Sequence, residues 1–403
     1  MIQKINPKKG IQSGIEIEGQ LIYKDGSLAN RMTEVVTDPR NSGDITPELS
    51  HVMWEVIAPP STSLDVLKSS FRERLKTLQE ISNSYGLRNI PSSTLHNETE
   101  VKSRDPERPR GLRKRKILGN KLRDLEHHIS GTHVHTDLLE DEEQAHSQVL
   151  LYTAMDPVFS FMSSSPFLFG KNSKNDYRVL TYRNEVFENL HKQGQLLDYP
   201  SSLKEAYDRQ KQSYEEFKKI LEAKGLDPEG LGESNCVWGP LRLTSFGTIE
   251  ARGADTNLLS NVIALTGLYK GVAHYIEKEN PQIEIDQSER YTPEEYFTPK
   301  KGKIILPSHN QLKRFEEIGA TTGLRNTRLR NYLTNILETA EKGLDSPKHL
   351  EPFRNMIANK KNFADEIVEY AKNKGLEKNY QIDGHGAREL RKYIAERHEE
   401  DLN

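Results

Sequence analysis

Three short segments repeat one pattern: two polar, ligand-type side chains two residues apart, set among apolar neighbours. Gly14-Ile-Glu-Ile-Glu-Gly19 offers Glu16 and Glu18, Thr132-His-Val-His-Thr136 offers His133 and His135, and Thr248-Ile-Glu-Ala-Arg252 offers Glu250 and Arg252. Side chains alternate faces along a strand, so each segment predicts a strand with one core face and one face crowded with charge. Adjacent like charges on a sheet repel. Glu16 and Glu18, held beside β-branched core residues, therefore predict something positive between them, and a divalent metal is the simplest candidate. Met53-Trp-Glu-Val-Ile57 adds Glu55 on a further strand. Glu48 lies seven residues earlier, an odd separation that cannot share one face of a straight strand, so it is expected on a turn or helix before that strand.

The 403 residues give room for one to three domains, and a charged fraction of 29% beside 34% hydrophobic residues suits exposed helices around a core. A net charge of −3 gives no whole-molecule attraction to nucleic acid or membrane. One cysteine, Cys236, excludes an internal disulfide framework and a cysteine zinc cluster, and its apolar setting suits a structural thiol. The N-terminal residues have no apolar signal region and no stretch is long enough to span a bilayer, so a cytoplasmic location is expected. The Gly-rich phosphate loop, the dinucleotide fingerprint and the nucleophile elbow are all missing.

Strands are predicted over 14–23, 51–58 (closed by Pro59-Pro60), 132–138 and 243–255. Thr62 with Asp65 reads as a capping box, followed by Leu64, Leu67, Phe71, Leu75, Leu78 and Ile81 at helical spacing and Gly86 as a stop. Helices are further expected from 142 to near Pro157, over 202–224, from Leu258 onward, and from about 308 to the end. Residues 97–128 are strongly basic; the plain reading of Arg104–Arg123 is a solvated arm, the sharper one a lid for phosphate or an acidic substrate. The whole reads as α+β, with residues 1–300 as the catalytic domain and 301–403 as a helical region packed on it.

Each segment alone has an ordinary explanation: Glu-x-Glu is more often a solvent-facing edge, and Glu250 and Arg252 could simply pair on a wet sheet face. Together they supply an oxygen-rich donor set with a minority of imidazole, which suits magnesium or manganese and not zinc. An arginine among such ligands grips phosphate in a bidentate fork. Metals on phosphate oxygens with arginine offsetting the developing charge is the layout of phosphoryl transfer.

The order of these motifs resembles glutamate–cysteine ligase family 2, the carboxylate–amine ligases of the glutamine synthetase-like superfamily. Gly14-Ile-Glu-Ile-Glu18 is similar to that family's Gly-x-Glu-x-Glu strand, and Glu48 and Glu55 to its next acidic pair. Gly131-Thr-His-Val-His135 resembles its Gly-x-His-Val-His motif, and Ser163-Ser-Ser-Pro-Phe-Leu-Phe-Gly170 its Ser-x-Asn-Ser-Pro-Phe segment, with Ser164 in place of Asn. Tyr182-Arg183 resembles the Ser-Arg that follows it, and Phe246-Gly-Thr-Ile-Glu-Ala-Arg252 resembles Gly-Thr-x-Glu-x-Arg. The resemblance implies a curved antiparallel sheet with helices on its convex face. It further implies ATP and Mg2+ (or Mn2+), with Glu16, Glu18, Glu48, Glu55, His133 and Glu250 as metal ligands. His135, Arg252 and Arg242 would contact the nucleotide or substrate phosphate, and Arg252, Arg183 and Glu55 would carry catalysis. The expected partners are a small-molecule carboxylate, glutamate in the simplest case, and an amine, cysteine in the simplest case; a homo-oligomer stays open, and neither membrane nor nucleic acid is expected. Two alternatives stand beside amide-bond formation: a phosphotransferase of the guanidino-kinase type, and a non-catalytic binding protein using the basic arm.

Overall fold

A computed structural model describes residues 10–94, 101–104, 125, 127–172, 174–187, 190, 192–227 and 232–403. The basic arm lies outside the described residues apart from 101–104, 125 and 127–128.

The chain is a mixed α/β protein whose main sheet is antiparallel throughout. Its first strands are β1 (Ser13–Tyr23), β2 (Ile45–Pro47), β3 (Met53–Ser61), β4 (Leu87–Ile90) and β5 (Gly131–Asp137). After β6 (Phe167–Leu168) and β7 (Lys171–Asn172), a hairpin returns through β8 (Leu241–Leu243) and β9 (Thr248–Asp255) to complete it. The order is β2-β3-β1-β5-β9-β8, with β4 continuing beside the second half of β1. A parallel pair, β10 (Gln282–Asp286) and β11 (Lys303–Pro307), stands apart. So does a small sheet in which β12 (Glu377–Lys378) and β13 (Gln381–Ile382) join β7 and β6.

Ile15, Ile17, Val56, Val134, Ile249 and Ala251 form the core face of the main sheet. The amphipathic helix Leu64–Ser84 buries Leu64, Leu67, Phe71, Leu75, Leu78 and Ile81, as its spacing requires. Helix Leu259–Glu279 is buried along almost its whole length, and helix Glu142–Ala154 and the C-terminal helices pack around it. Gly19 faces Trp54 across β1 and β3, and a Cβ there would lie 2.1 Å from the indole, so the fully buried Trp54 requires a glycine opposite it.

Three expectations need correction. β3 does not stop at Pro59-Pro60 but runs through both. β2 has ended by that point and a bulge against β1 absorbs the extra residue, so no ladder needs the missing N–H groups. The cap of the first long helix is Ser63, whose side chain accepts from the Val66 N–H, rather than Thr62. The C-terminal region is not wholly helical, because β12 and β13 interrupt it before the last helix, Gly384–Leu402.

At the outer edge of the sheet β8 has no second strand neighbour among the described residues. Gln210, from helix Leu203–Ala223, takes that place: its amide donates to the Leu243 carbonyl at 2.8 Å and accepts from the Leu243 N–H at 3.0 Å.

Candidate active site

Strand register builds the site. On the face opposite the core, Glu18 stands across from Glu55 of β3, and Glu16 across from His133 of β5. His135 stands across from Glu250 of β9, which in turn faces Arg242 of β8. Pairs far apart in sequence thus become direct cross-strand neighbours, with Cβ atoms typically about 5 Å apart. Glu48 follows β2 on a turn, its N–H bonded to the Met53 carbonyl, and so reaches Glu18 and Glu55.

The six expected metal ligands separate into two triads. Glu16, His133 and Glu250 form one, and Glu18, Glu48 and Glu55 the other; in each, one ligand atom per residue lies within 4.8 Å of the others. In the first triad Glu16 bridges two imidazoles, at 3.1 Å from His133 Nδ1 and 3.3 Å from His135 Nε2. Thr248 Oγ1, 3.1 Å from His135 Nδ1, orients the second ring. Glu250 is fully buried and receives Arg242 at 2.5 Å on one oxygen and Arg252 at 2.6 Å on the other.

The charges follow from these contacts. Burial alone would raise the Glu16 pKa, but the hydrogen bonds to His133 and then His135 outweigh it and hold the group well below the usual carboxylate range. Burial opposes ionisation of Glu250 too, and Arg252, His133 and Arg242 overcome it. His133 is shifted toward the neutral form by burial and then by Arg252, against Glu16 and Glu250, and a neutral imidazole is the form that ligates a metal.

The second triad is governed by the opposite balance. Burial, and then the neighbouring Glu48, push Glu18 up to about 8. Burial, then Glu48, Glu18 and Glu16, push Glu55 up to about 9. Glu18 accepts the Gly131 N–H at 2.7 Å and Glu55 the Thr46 hydroxyl at 2.8 Å. Three converging carboxylates, two of them held back from ionising by burial and by the neighbouring charge, fit a hard divalent cation such as magnesium or manganese.

Arg183 does not join the others. A π-helical turn, Tyr182–Val186, carries it, and its guanidinium grips Asp156 at 2.7 Å and Glu316 at 2.6 Å with 3% of the side chain exposed. Both edges of its fork are committed to these partners, and neither triad is among them. Thr46, Thr248 and Arg178 were not singled out from sequence. The two threonines serve as hydrogen-bond partners to Glu55 and His135, a role that no spacing in the sequence announces.

No protein-family description matches the sequence, and no curated protein does. Solved structures do match. A bifunctional glutathione synthetase from Pasteurella multocida is 13% identical with a TM-score of 0.58, covering 97% of this chain and 52% of its own, so the chain spans about half that enzyme's length. Glutamate–cysteine ligase from Francisella tularensis, in complex with AMP, is 12% identical with a TM-score of 0.61, covering 98% of this chain and 89% of its own. At this identity the likeness is one of fold: nearly the whole chain has the architecture seen in glutamate–cysteine ligase.

Proposed function

We propose that the protein is an ATP-dependent carboxylate–amine ligase, forming an amide of the γ-glutamyl type through an acyl phosphate, with glutamate and cysteine as the simplest substrates. The observation that carries this reading is the pair of triads on one sheet face, flanked by Arg242 and Arg252. The fold shared with glutamate–cysteine ligase supports it. On this reading the face is the concave wall of a curved, glutamine synthetase-like sheet within a catalytic part of about 300 residues, and the C-terminal helices are a layer on the same domain.

Glu16, His133 and Glu250 would hold one divalent cation and Glu18, Glu48 and Glu55 another. Such ions supply charge neutralisation for a phosphoryl group in transfer. The chain's own residues do the rest. Arg252 and Arg242 present guanidinium groups, already anchored on Glu250, to the oxyanions of the transferring phosphoryl group and the acyl phosphate. His135, its Nδ1 beside Thr248, points Nε2 into the site as a nucleotide-phosphate contact. Glu55 lies where a carboxylate can hold metal and substrate in register. Since Arg183 is enclosed by Asp156 and Glu316, the charge stabilisation falls to Arg252 and Arg242. The amine attacks the acyl carbon and phosphate leaves; no side chain acts as nucleophile.

The test is a panel of carboxylates and amines incubated with protein, Mg2+ and ATP, read by phosphate release and mass spectrometry. The expected result is phosphate release that depends on both partners, with an amide product. Release yielding only a phosphorylated product would replace this reading with phosphotransfer, and absence of magnesium-dependent nucleotide binding would end it.

A further inference from the structure

Arg242, Arg252 and Arg183 are each paired with a carboxylate; among the described residues Arg178 is not. It comes from the short helix Tyr177–Thr181 and is 93% buried, with a relative exposure of 7%. Its guanidinium makes two long hydrogen bonds, both of 3.4 Å, to the carbonyls of Gly253 and Arg252. Among the described residues no carboxylate lies within ion-pair distance of it. Acidic groups act on it only from further off: it lowers the pKa of Glu18, Asp176 and Asp255 through space. A buried guanidinium with five fixed donors, two long bonds to neutral carbonyls and the Tyr182 ring 5.7 Å away is an arrangement that an anionic partner would complete.

Its position says where that partner arrives. An added Cβ on Gly131 would lie 2.3 Å from Arg178 Nη2, so the guanidinium rests in the space this glycine leaves open. The Gly131 N–H is the donor to Glu18, a member of the second triad, and the Arg252 carbonyl that Arg178 contacts belongs to the residue gripping Glu250. Arg178 therefore sits at the junction of the two triads.

We propose that Arg178 is an oxyanion-binding residue of the active site: it receives a substrate oxyanion, carboxylate or phosphate, at the junction between the triads. The inference deepens the ligase reading and rests on it for the identity of the substrate. The guanidinium fork fits either source, because both present two oxygens in a plane that a bidentate donor matches.

The experiment measures binding of three probes to the full chain in Mg2+: glutamate, a non-hydrolysable ATP analogue and inorganic phosphate. R178Q is expected to weaken at least one by about tenfold or more while the melting temperature stays within a few degrees. R178K, which keeps the charge but loses the fork, is expected to fall between. G131A, which displaces the guanidinium without removing it, is expected to resemble R178Q. Loss confined to glutamate identifies a carboxylate; loss of the analogue and phosphate identifies a phosphoryl group. Wild-type-like binding of all three probes by R178Q, or no binding of any of them by the wild type, overturns the proposal. The two readings fail separately: amide formation that is absent while phosphate binding still depends on Arg178 ends the ligase reading alone, and amide formation that is present and indifferent to R178Q ends the Arg178 assignment alone.

Discussion

The two triads share a sheet face and differ in how their charge is balanced. Glu250 is anionic because two arginines grip it, and Glu16 because two imidazoles flank it. Glu18 and Glu55 receive a backbone N–H and a hydroxyl, and no ion pair reaches either one among the described residues. The first triad is thus set by the protein, with its charges in place before any ligand arrives. In the second, Glu18 and Glu55 resist ionisation through burial and the neighbouring charge of Glu48. One side of the site is thus held by ion pairs on Glu250, while the charge of Glu18 and Glu55 is left open to change.

The sharpest way to break the comparison is to neutralise one glutamate from each triad. Glu250→Gln should lower amine-dependent turnover by about 10³-fold or more. It should also lower unfolding stability by about 3 kcal/mol, because two guanidinium groups lose their buried anion. Glu55→Gln should lower turnover by about 10²-fold. In chelator-treated protein, however, it should raise stability by on the order of 1 kcal/mol, because a neutral amide removes the cost of keeping this buried carboxyl protonated. Steady-state assays with urea unfolding of both variants decide this; loss of metal-free stability in both would erase the distinction.

A pH series sharpens it. Carboxyls whose folded pKa lies above the unfolded value leave the folded state holding more protons, so stability falls as pH rises between the two. With Glu18 near 8 and Glu55 near 9, metal-free protein should lose stability steadily from pH 5 to pH 9. Saturating Mg2+ should flatten that decline, and Mg2+ affinity should rise across the same window. Thermal melts with and without chelator provide the measurement, and a flat metal-free profile would contradict the raised carboxyls. The smallest effect is expected from Thr46→Val, which removes the hydroxyl on Glu55: about threefold in Mg2+ affinity and less than about 1 kcal/mol in stability. Isothermal titration would detect it, and no change would mean that the hydroxyl does not orient Glu55.

What could be read from the sequence follows from what is local. A period of two puts Glu16 with Glu18 and His133 with His135 on one face, and the odd separation of Glu48 from Glu55 correctly sends Glu48 to a turn. Which strands become neighbours is not local. Nothing in either segment states that Glu16 will stand across from His133, 117 residues away, so the division into two triads emerged only from register. Arg183 looked available because the sequence does not show that Asp156 and Glu316 converge on it. Arg178 escaped notice because its place is defined by an empty volume over Gly131, and no motif encodes an absence. The prolines of β3 misled for a related reason: their cost depends on whether a partner strand is alongside, and β2 had already ended.

The amide of Gln210 bears on how the site comes apart. Arg242 is carried on β8, whose outer side, among the described residues, is met by one side chain instead of by a ladder. Two side-chain bonds are more easily lost than a strand ladder, so this edge of the sheet should open ahead of its centre. In hydrogen exchange the Leu243 amide should then exchange ahead of Ile249 in β9, and Gln210→Ala should widen the gap. Arg242 is thereby mounted on an edge strand, and its residence beside Glu250 is tied to the hold of one glutamine side chain on that edge.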